Sequence, residues 1–100
     1  MPVASRKALE PGADTALYGA CKAAVLNYTQ GIAEETRALD ITANTVLPSI
    51  IDTPANRAAM GTEDVEQWID PASLAATIIG LGQAAARDLR GTAVKVYGRV

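Results

Sequence analysis

The sequence contains no histidine and only one cysteine, Cys21. A single thiol cannot form a disulfide within the chain, and without histidine it has no partner for a metal site or a Cys-His pair. We therefore expect a reduced, cytoplasmic protein without a metal centre. No stretch approaches the roughly 20 apolar residues that a membrane span needs. Residues 1–7 have no apolar run behind their charges, so we do not expect them to form a signal peptide.

Phenylalanine and long basic runs are also missing. Nine basic and eleven acidic residues leave a net charge of -2, which excludes the electrostatic footprint of a protein that binds nucleic acid or an anionic membrane. Apolar residues make up 49% of the chain, mostly Ala, Val, Ile and Leu, which is enough for a modest core. Residues 1–100 are therefore predicted to form one small α/β domain rather than an aromatic-rich β-sandwich.

The pattern of apolar residues predicts strands that alternate with helices. The predicted elements are the end of a strand at 2–4, a helix at about 15–39, a strand at 41–47, a helix at 71–87 and a strand at 92–97. The second helix has a clear start, because Asp70 is a good N-cap and Pro71 suits the first helical position. Strands joined through helices form right-handed crossovers, so we predict an α/β layer with a parallel sheet of about three strands and two main helices.

Three details of this prediction concern packing. Gly80 and Gly82 lie inside the second helix, where we expect them to mark close contact with a neighbouring backbone. The segment 49–69 is predicted to be a mobile flap with a helical turn near 55–60, pinned to the body by Trp68. In the first helix we expect a buried stripe with helical spacing, formed by Val25, Tyr28, Ile32 and Leu39.

Tyr18 and Lys22 are four residues apart in the first predicted helix, so they project from the same face. A nearby cation stabilises a phenolate, and this makes a tyrosine a better proton relay at neutral pH. The spacing is common by chance, and a half-buried Tyr beside a solvated Lys is the plainer interpretation. Ser5 and Pro48-Ser49 follow predicted parallel strands, at the sheet edge where ligands gather. Together these residues could polarise a carbonyl group and protonate it.

The same residues carry a resemblance to a known family. Ser5 precedes Tyr18 by thirteen residues, and the segments Tyr18 to Val25 and Asn44 to Thr53 follow. In this order and spacing they resemble the carboxyl-terminal part of the short-chain dehydrogenase/reductase family. Gly91 to Gly98 resembles the last helix-to-strand turn and final strand of that family.

The resemblance implies NAD(P)-dependent oxidation or reduction of an alcohol/carbonyl pair on a doubly wound, Rossmann-like sheet. Tyr18 matches the catalytic acid/base, Ser5 the residue that holds the substrate oxygen, and Lys22 the residue that stabilises the tyrosinate and holds the nicotinamide ribose. The flap from 49 to 69 matches the variable substrate-binding region. The residues that match the cofactor-binding set are Tyr18, Lys22, Pro48, Ser49, Ile51 and Thr53, with the backbone of Ile51 and the side chain of Thr53 at the nicotinamide amide.

Two departures from the family pattern stand out. Ser49 occupies a position where the family usually has glycine, which narrows the approach of the backbone to the nicotinamide. Nothing in the chain matches the amino-terminal nucleotide-binding half of the family, including its Gly-rich turn and its upstream catalytic Asn. The sequence Gly80 to Ala85 fits the pattern G-x-G-x-x-A, but it lies inside a predicted helix rather than between a strand and a helix, so we reject it.

Two hypotheses follow. In the first, the chain is a fragment of a dehydrogenase that acts on a small-molecule alcohol or carbonyl compound, and it is inactive and binds no NAD or NADP by itself. In the second, it is a complete small gene product without dehydrogenase activity that serves as a structural or interaction module. Either way, a sheet without its amino-terminal half leaves apolar surface on the first helix around Leu17, Cys21, Ala24 and Tyr28. We therefore expect a homodimer or higher oligomer that buries this helix.

Overall fold

The structure is a computed structural model that describes residues 1–100. Its sheet is centred on strand β1 (Thr45–Pro48), whose four residues are all buried. Successive side chains of a strand point to opposite faces, so Val46 and Leu47 enter two different cores. Leu47 packs with Ala4 and Leu26, whereas Val46 packs in a separate cluster on the other face. The sheet is therefore covered on both faces, as in a doubly wound α/β fold.

Strand β2 (Ala93–Val96) pairs with β1 in parallel along its whole length. On the other side of β1, only Val3 joins the ladder, as a parallel bridge to Val46. The Ala4 amide donates to the Val46 carbonyl at 2.9 Å, and the Val46 amide donates to the Pro2 carbonyl at 3.3 Å. The predicted parallel α/β arrangement is confirmed, but the first of its three strands is reduced to one bridged residue.

Three helices surround this sheet. Helix α1 (Ala16–Glu35) covers the face that carries Leu47, α2 (Pro54–Met60) follows β1, and α3 (Pro71–Leu81) covers the face that carries Val46. Short 3₁₀ turns at Arg6–Ala8, Val65–Gln67 and Ala84–Ala86 complete the order of elements. None of the helices combines the length and apolar character that a membrane span requires.

The buried face of α1 differs from the predicted stripe. Tyr28 and Leu39 of that stripe are 72% and 54% exposed. The residues that are buried are Gly19, Leu26, Thr29 and Ala33. At Gly19 an added Cβ would lie only 2.9 Å from the Lys7 carbonyl oxygen, so glycine permits a close approach of the 3₁₀ turn. The prediction was therefore wrong for Tyr28 and Leu39, whereas Val25 and Ile32 are half-buried and Val25 packs against the core. The packed side is the one that carries Leu26 and the close approach at Gly19.

The opposite face of α1 is uncovered. Leu17, Cys21, Ala24 and Tyr28 share one side of the helix by their spacing, and all four are exposed. Leu17 is the extreme case at 79% exposure. The predicted apolar face is therefore present on the surface of the chain.

The structure ends α1 earlier and begins β1 later than the sequence predicts. Helix α1 ends at Glu35 instead of Leu39, where the Thr36 hydroxyl donates to the Ile32 carbonyl at 2.8 Å and turns follow. A side-chain bond of this kind competes with continued helix. Strand β1 begins at Thr45 rather than at Ile41. The Asn44 side chain forms hydrogen bonds outside the β ladder, because it donates to the Leu89 carbonyl at 3.0 Å and accepts from the Thr92 amide at 3.0 Å.

Helix α3 begins where predicted and ends early. The Asp70 carboxylate accepts from the Ala72 amide at 3.2 Å, with Pro71 at the first helical position. The helix ends at Leu81, and Gly82 forms its C-cap, so the predicted extension to Arg87 is wrong. Apart from adjoining residues and the backbone of the helix itself, no atom lies within 4 Å of a Cβ placed on Gly80, and a Cβ on Gly82 would meet only the Ile79 carbonyl. These glycines therefore mark a helix end and not a close contact.

The flap between β1 and α3 contains the predicted helical turn, since α2 occupies Pro54–Met60. Thr53 caps it by accepting from the Asn56 amide at 3.1 Å. The flap is closed at its base, where the Asp52 amide donates to the Ile69 carbonyl at 2.8 Å. Ile69 is 4% exposed, whereas Trp68 is only half-buried, so Ile69 rather than the predicted Trp68 is the residue that anchors the flap.

The two core clusters, one on each face of β1, lead to a prediction about stability. Leu47 is fully buried, so Leu47→Ala should lower the free energy of unfolding by about 2–4 kcal/mol. Ile79→Ala, at a side chain that is 64% exposed on α3, should change it by less than about 0.5 kcal/mol. Urea unfolding followed by circular dichroism measures both variants. Equal losses for the two variants would contradict the assignment of β1 as the centre of the core.

Candidate active site

Ser5 lies at the end of the segment that is bridged to β1, and it is 7% exposed. It caps the 3₁₀ turn Arg6–Ala8, and its Oγ accepts from the Lys7 amide at 3.2 Å. A serine at an N-cap uses its lone pairs in this way, and its hydroxyl proton remains free to donate. The turn therefore fixes the position of the oxygen without using the proton.

Tyr18 and Lys22 lie in the first two turns of α1. The Lys22 Nζ is 5.7 Å from the centroid of the Tyr18 ring and donates to the Val3 carbonyl at 3.4 Å. Tyr18 is 50% exposed, so its phenol is open to solvent and to a ligand. The Val3 carbonyl thus ties the lysine to the segment that carries Ser5.

The loop after β1 forms the other wall. The Ser49 hydroxyl donates to the Tyr97 carbonyl at 2.7 Å, and Asn56 Nδ2 donates to the Ile51 carbonyl at 2.8 Å. The Ile51 amide makes no hydrogen bond, so it is available to an acceptor. Ser49 does not have a positive φ, and a side chain at this position therefore brings no backbone strain.

An open cavity of about 380 Å³ lies between these walls. It brings together six of the residues predicted from the sequence, namely Ser5, Tyr18, Lys22, Pro48, Ser49 and Ile51. Thr53, the seventh, does not line it, and its oxygen instead caps α2. Candidate catalytic groups from two elements and the loop after β1 therefore face one space.

Seven further residues line the cavity and lie outside the predicted set, namely Val3, Ala4, Lys7, Thr15, Ile50, Asn56 and Met60. Lys7 follows Ser5 by two residues, so its nearness could have been inferred from the sequence. Asn56 and Met60 line the cavity from α2, and no local signal in the sequence indicates that this helix contributes to the site.

Comparison with known proteins identifies the family of the chain. The model of a family described as Enoyl-(Acyl carrier protein) reductase matches residues 2–87. The chain belongs to the short-chain dehydrogenase/reductase family. A curated member of this family, the 7alpha-hydroxysteroid dehydrogenase of Bacteroides fragilis, is 33% identical over 105 residues, which cover 96% of this chain and 40% of that protein.

Solved structures of the short-chain dehydrogenase/reductase family have the same fold. A short chain dehydrogenase from Burkholderia cenocepacia J2315 in complex with NADP superposes with a TM-score of 0.85 at 30% identity, over 96% of this chain and 42% of that chain. The 3-ketoacyl-(acyl-carrier-protein) reductase from Brucella melitensis complexed with NADH gives a TM-score of 0.84 at 29% identity, over 97% and 42%. This family member thus spans about two fifths of the length of these relatives.

A second, smaller cavity of about 250 Å³ lies beside the first and is also lined by Ser5. Here the Arg6 guanidinium stacks 4.6 Å from the centroid of the Tyr97 ring, donates to Val100 O at 2.9 Å and pairs with Glu10 at 3.1 Å. Arg6 therefore joins the turn that holds the candidate catalytic serine to the residues that follow β2.

These contacts change the pKa values of the Glu10 carboxyl and the Tyr97 phenol. The hydrogen bond from Arg6 lowers the pKa of the Glu10 carboxyl, since it stabilises the carboxylate. Burial raises the pKa of Tyr97, and the negative charge of Glu10 raises it further. The Tyr97 hydroxyl is buried beside the Glu10 carboxylate, without a hydrogen bond of normal geometry. The phenol is thus held neutral behind the serine turn, next to a negative charge.

Tyr97→Phe tests this description. At neutral pH the variant should be as stable as the parent or slightly more so, because it removes a buried hydroxyl that forms no hydrogen bond of normal geometry and keeps the ring under Arg6. The folded-state pKa of Tyr97 is raised above the unfolded-state pKa of about 10, so the unfolded chain loses this proton first as the pH rises. The stability that the protonated phenol provides is therefore complete below about pH 10, and it is lost as the pH rises through the folded-state pKa. The parent should therefore lose stability above about pH 10, and Tyr97→Phe should lose less. Parallel urea titrations at pH 7 and pH 11 measure this, and identical losses would contradict it.

Proposed function

We propose that this chain is the catalytic, carboxyl-terminal portion of an NAD(P)-dependent oxidoreductase that interconverts an alcohol and a carbonyl compound. The proposal rests on one observation, that Ser5, Tyr18 and Lys22 line the same cavity as the loop after β1. Their chemistry is a hydroxyl donor, a phenol and a cation at the carboxyl ends of parallel strands, where α/β proteins bind ligands. Family membership supports it further.

In the reductive direction, the substrate carbonyl oxygen would accept hydrogen bonds from the Ser5 and Tyr18 hydroxyls. As negative charge develops on this oxygen, the Tyr18 phenol would give it a proton, and the nearby Lys22 ammonium would stabilise the resulting phenolate. In the oxidative direction the same groups act in reverse, so that the phenolate removes the alcohol proton. Ser5 orients the oxygen in both directions because the serine turn fixes its Oγ.

The chain's own groups fit one end of a nicotinamide cofactor. The unpaired Ile51 amide offers a donor to a carboxamide, and the Thr53 hydroxyl keeps its proton while its oxygen caps α2. Lys22 could donate to ribose hydroxyls in place of the Val3 carbonyl. The bound nicotinamide would supply hydride to the carbonyl carbon or accept it. The cofactors of the Burkholderia cenocepacia and Brucella melitensis structures, NADP and NADH, support the use of one of these two.

A chimera tests the activity. The part of the Bacteroides fragilis relative that precedes its alignment with this chain is joined to the chain. The change in NAD(P)H absorbance is then followed with a 7α-hydroxysteroid and with small ketones. Tyr18→Phe should lower kcat by at least about 100-fold, since it removes the proton donor. The matched variant Tyr28→Phe, on a tyrosine that does not line the cavity, should retain the parent rate.

A Tyr18→Phe chimera that folds, binds NADH and turns over as fast as its parent would refute the proposed role of Tyr18. The isolated chain is the second control. It lacks a pyrophosphate-binding Gly-rich turn, so calorimetry should detect no binding of NADH or NADPH, and micromolar binding would show that this description of the cofactor site is wrong.

We also propose that a second copy of the chain covers the exposed face of α1. Leu17, Cys21, Ala24 and Tyr28 form an uncharged, mostly apolar face on a 20-residue helix, and such a surface favours association. A two-fold contact would place the same face of both helices together. The proposal places this assembly in the cytoplasm, since Cys21 is a free, exposed thiol. If the chain serves as an interaction module without activity, this face is its contact surface.

Light scattering at micromolar concentration should give the mass of a dimer or a larger assembly. Ala24→Glu places a charge at the centre of the face and should shift the mass toward that of the monomer, because a buried unpaired carboxylate is costly. Asn27→Glu adds the same charge to an exposed position about 60° around α1 from Ala24, outside the four residues of the face, and should disturb assembly less. A monomeric parent protein would refute the proposal.

A further inference from the structure

The charges around the candidate active-site cavity are of one sign. Lys7 and Lys22 are the charged residues that line it, and no carboxylate does. The smaller cavity beside it adds Arg6 and Glu10, which pair with each other. Lys22 already donates to the Val3 carbonyl. Lys7 is therefore the one lining cation without a partner, because its ammonium forms neither a hydrogen bond nor a salt bridge.

The structure also fixes where Lys7 lies. Its amide donates to Ser5 Oγ, and its carbonyl packs so closely on α1 that a Cβ at Gly19 would lie 2.9 Å from it. Its side chain passes over Gly12, where an added Cβ would be 2.7 Å from Nζ and 3.5 Å from Cε. Glycine at 12 therefore makes room for the lysine. A cation with a fixed backbone lies two residues from the serine that would hold the reacting oxygen.

We propose that Lys7 is a specificity-determining residue that selects substrates carrying a carboxylate within a few carbon atoms of the reacting carbonyl or alcohol. The inference rests on the proposed function, since it assigns a substrate class to the same cavity. A single unpaired ammonium matches the single charge of a carboxylate. Lys7 lines both cavities, so a substrate whose oxygen contacts Ser5 and Tyr18 extends toward this cation.

The size of the effect follows from the openness of the site. Lys7 is only half-buried, so water screens its charge. A pair of unit charges about 4 Å apart in water gains about 1 kcal/mol, which is about a fivefold change in the dissociation constant. Added salt should reduce the preference, because the Debye length falls to about 3 Å at 1 M ionic strength.

The test uses two ketones that differ in charge, levulinate and its methyl ester. Each is titrated up to about 50 mM into the ¹⁵N-labelled chain, a range suited to the millimolar affinities of small ligands, and the amide shifts of Ser5, Lys7 and Tyr18 give the dissociation constants. The parent should bind levulinate about fivefold more tightly than the ester at low salt. Lys7→Gln should bind both equally, whereas Arg87→Gln, which removes an exposed charge that lines neither cavity, should keep the preference.

A second variant keeps the lysine and moves it. Gly12→Ala should reduce the preference, since the new methyl group would occupy the space over which Nζ lies. Equal affinities of the parent for the two ketones, a preference that survives in Lys7→Gln, or no shift at Ser5 and Tyr18 with either ketone would each overturn the inference. These outcomes are distinct from failure of the proposed function, which is judged by the dependence of the chimera's turnover on Tyr18.

Discussion

Burial of β1 on both faces is the constraint on which the rest of the structure depends. Val46 and Leu47 are fully enclosed, and they can be so only if one helix layer covers each face of the sheet. The two layers require crossover connections, and these make the strands parallel. Parallel strands end at the same edge, which is why Ser5 and the loop that begins at Pro48 meet at one cavity. The candidate site is thus a consequence of how two apolar residues are buried.

Much of this could be predicted from the sequence because the relevant signals are local. Asp70-Pro71 fixes the start of α3, and the spacing from Ser5 to Tyr18 to Lys22 places three functional groups within one strand-helix unit. The buried side of α1 could not be predicted, since apolar residues surround the helix and the choice depends on where Gly19 lets the serine turn approach. The stacking of Arg6 on Tyr97 could not be predicted either, because the two residues are 91 positions apart in the sequence. Local patterns contain no information about such pairs.

The core of this chain is thin. Only 13 of its 100 residues are buried, and its radius of gyration of 14.6 Å exceeds the roughly 13 Å typical of a compact domain of this length. The uncovered regions are the outer edge of the segment bridged at Val3 and the outer face of α1. Both surfaces flank Lys22, which donates to the Val3 carbonyl from α1. Whatever covers them therefore also determines how much water reaches the Tyr18-Lys22 pair, and electrostatic stabilisation of a phenolate grows as water is excluded.

The residues after β2 touch the serine turn from behind. The Tyr97 carbonyl accepts a hydrogen bond from the Ser49 hydroxyl, and the Tyr97 ring stacks against the Arg6 guanidinium. The same guanidinium donates a hydrogen bond to the Val100 carbonyl. Neither Tyr97 nor Val100 lines the larger cavity. Substitutions in this tail could therefore shift the serine and the loop after β1 together, relative to Tyr18 on α1. Sequence changes in this tail can thus alter how a substrate fits against the Tyr18 proton donor. They do so without changing any residue that lines the larger cavity.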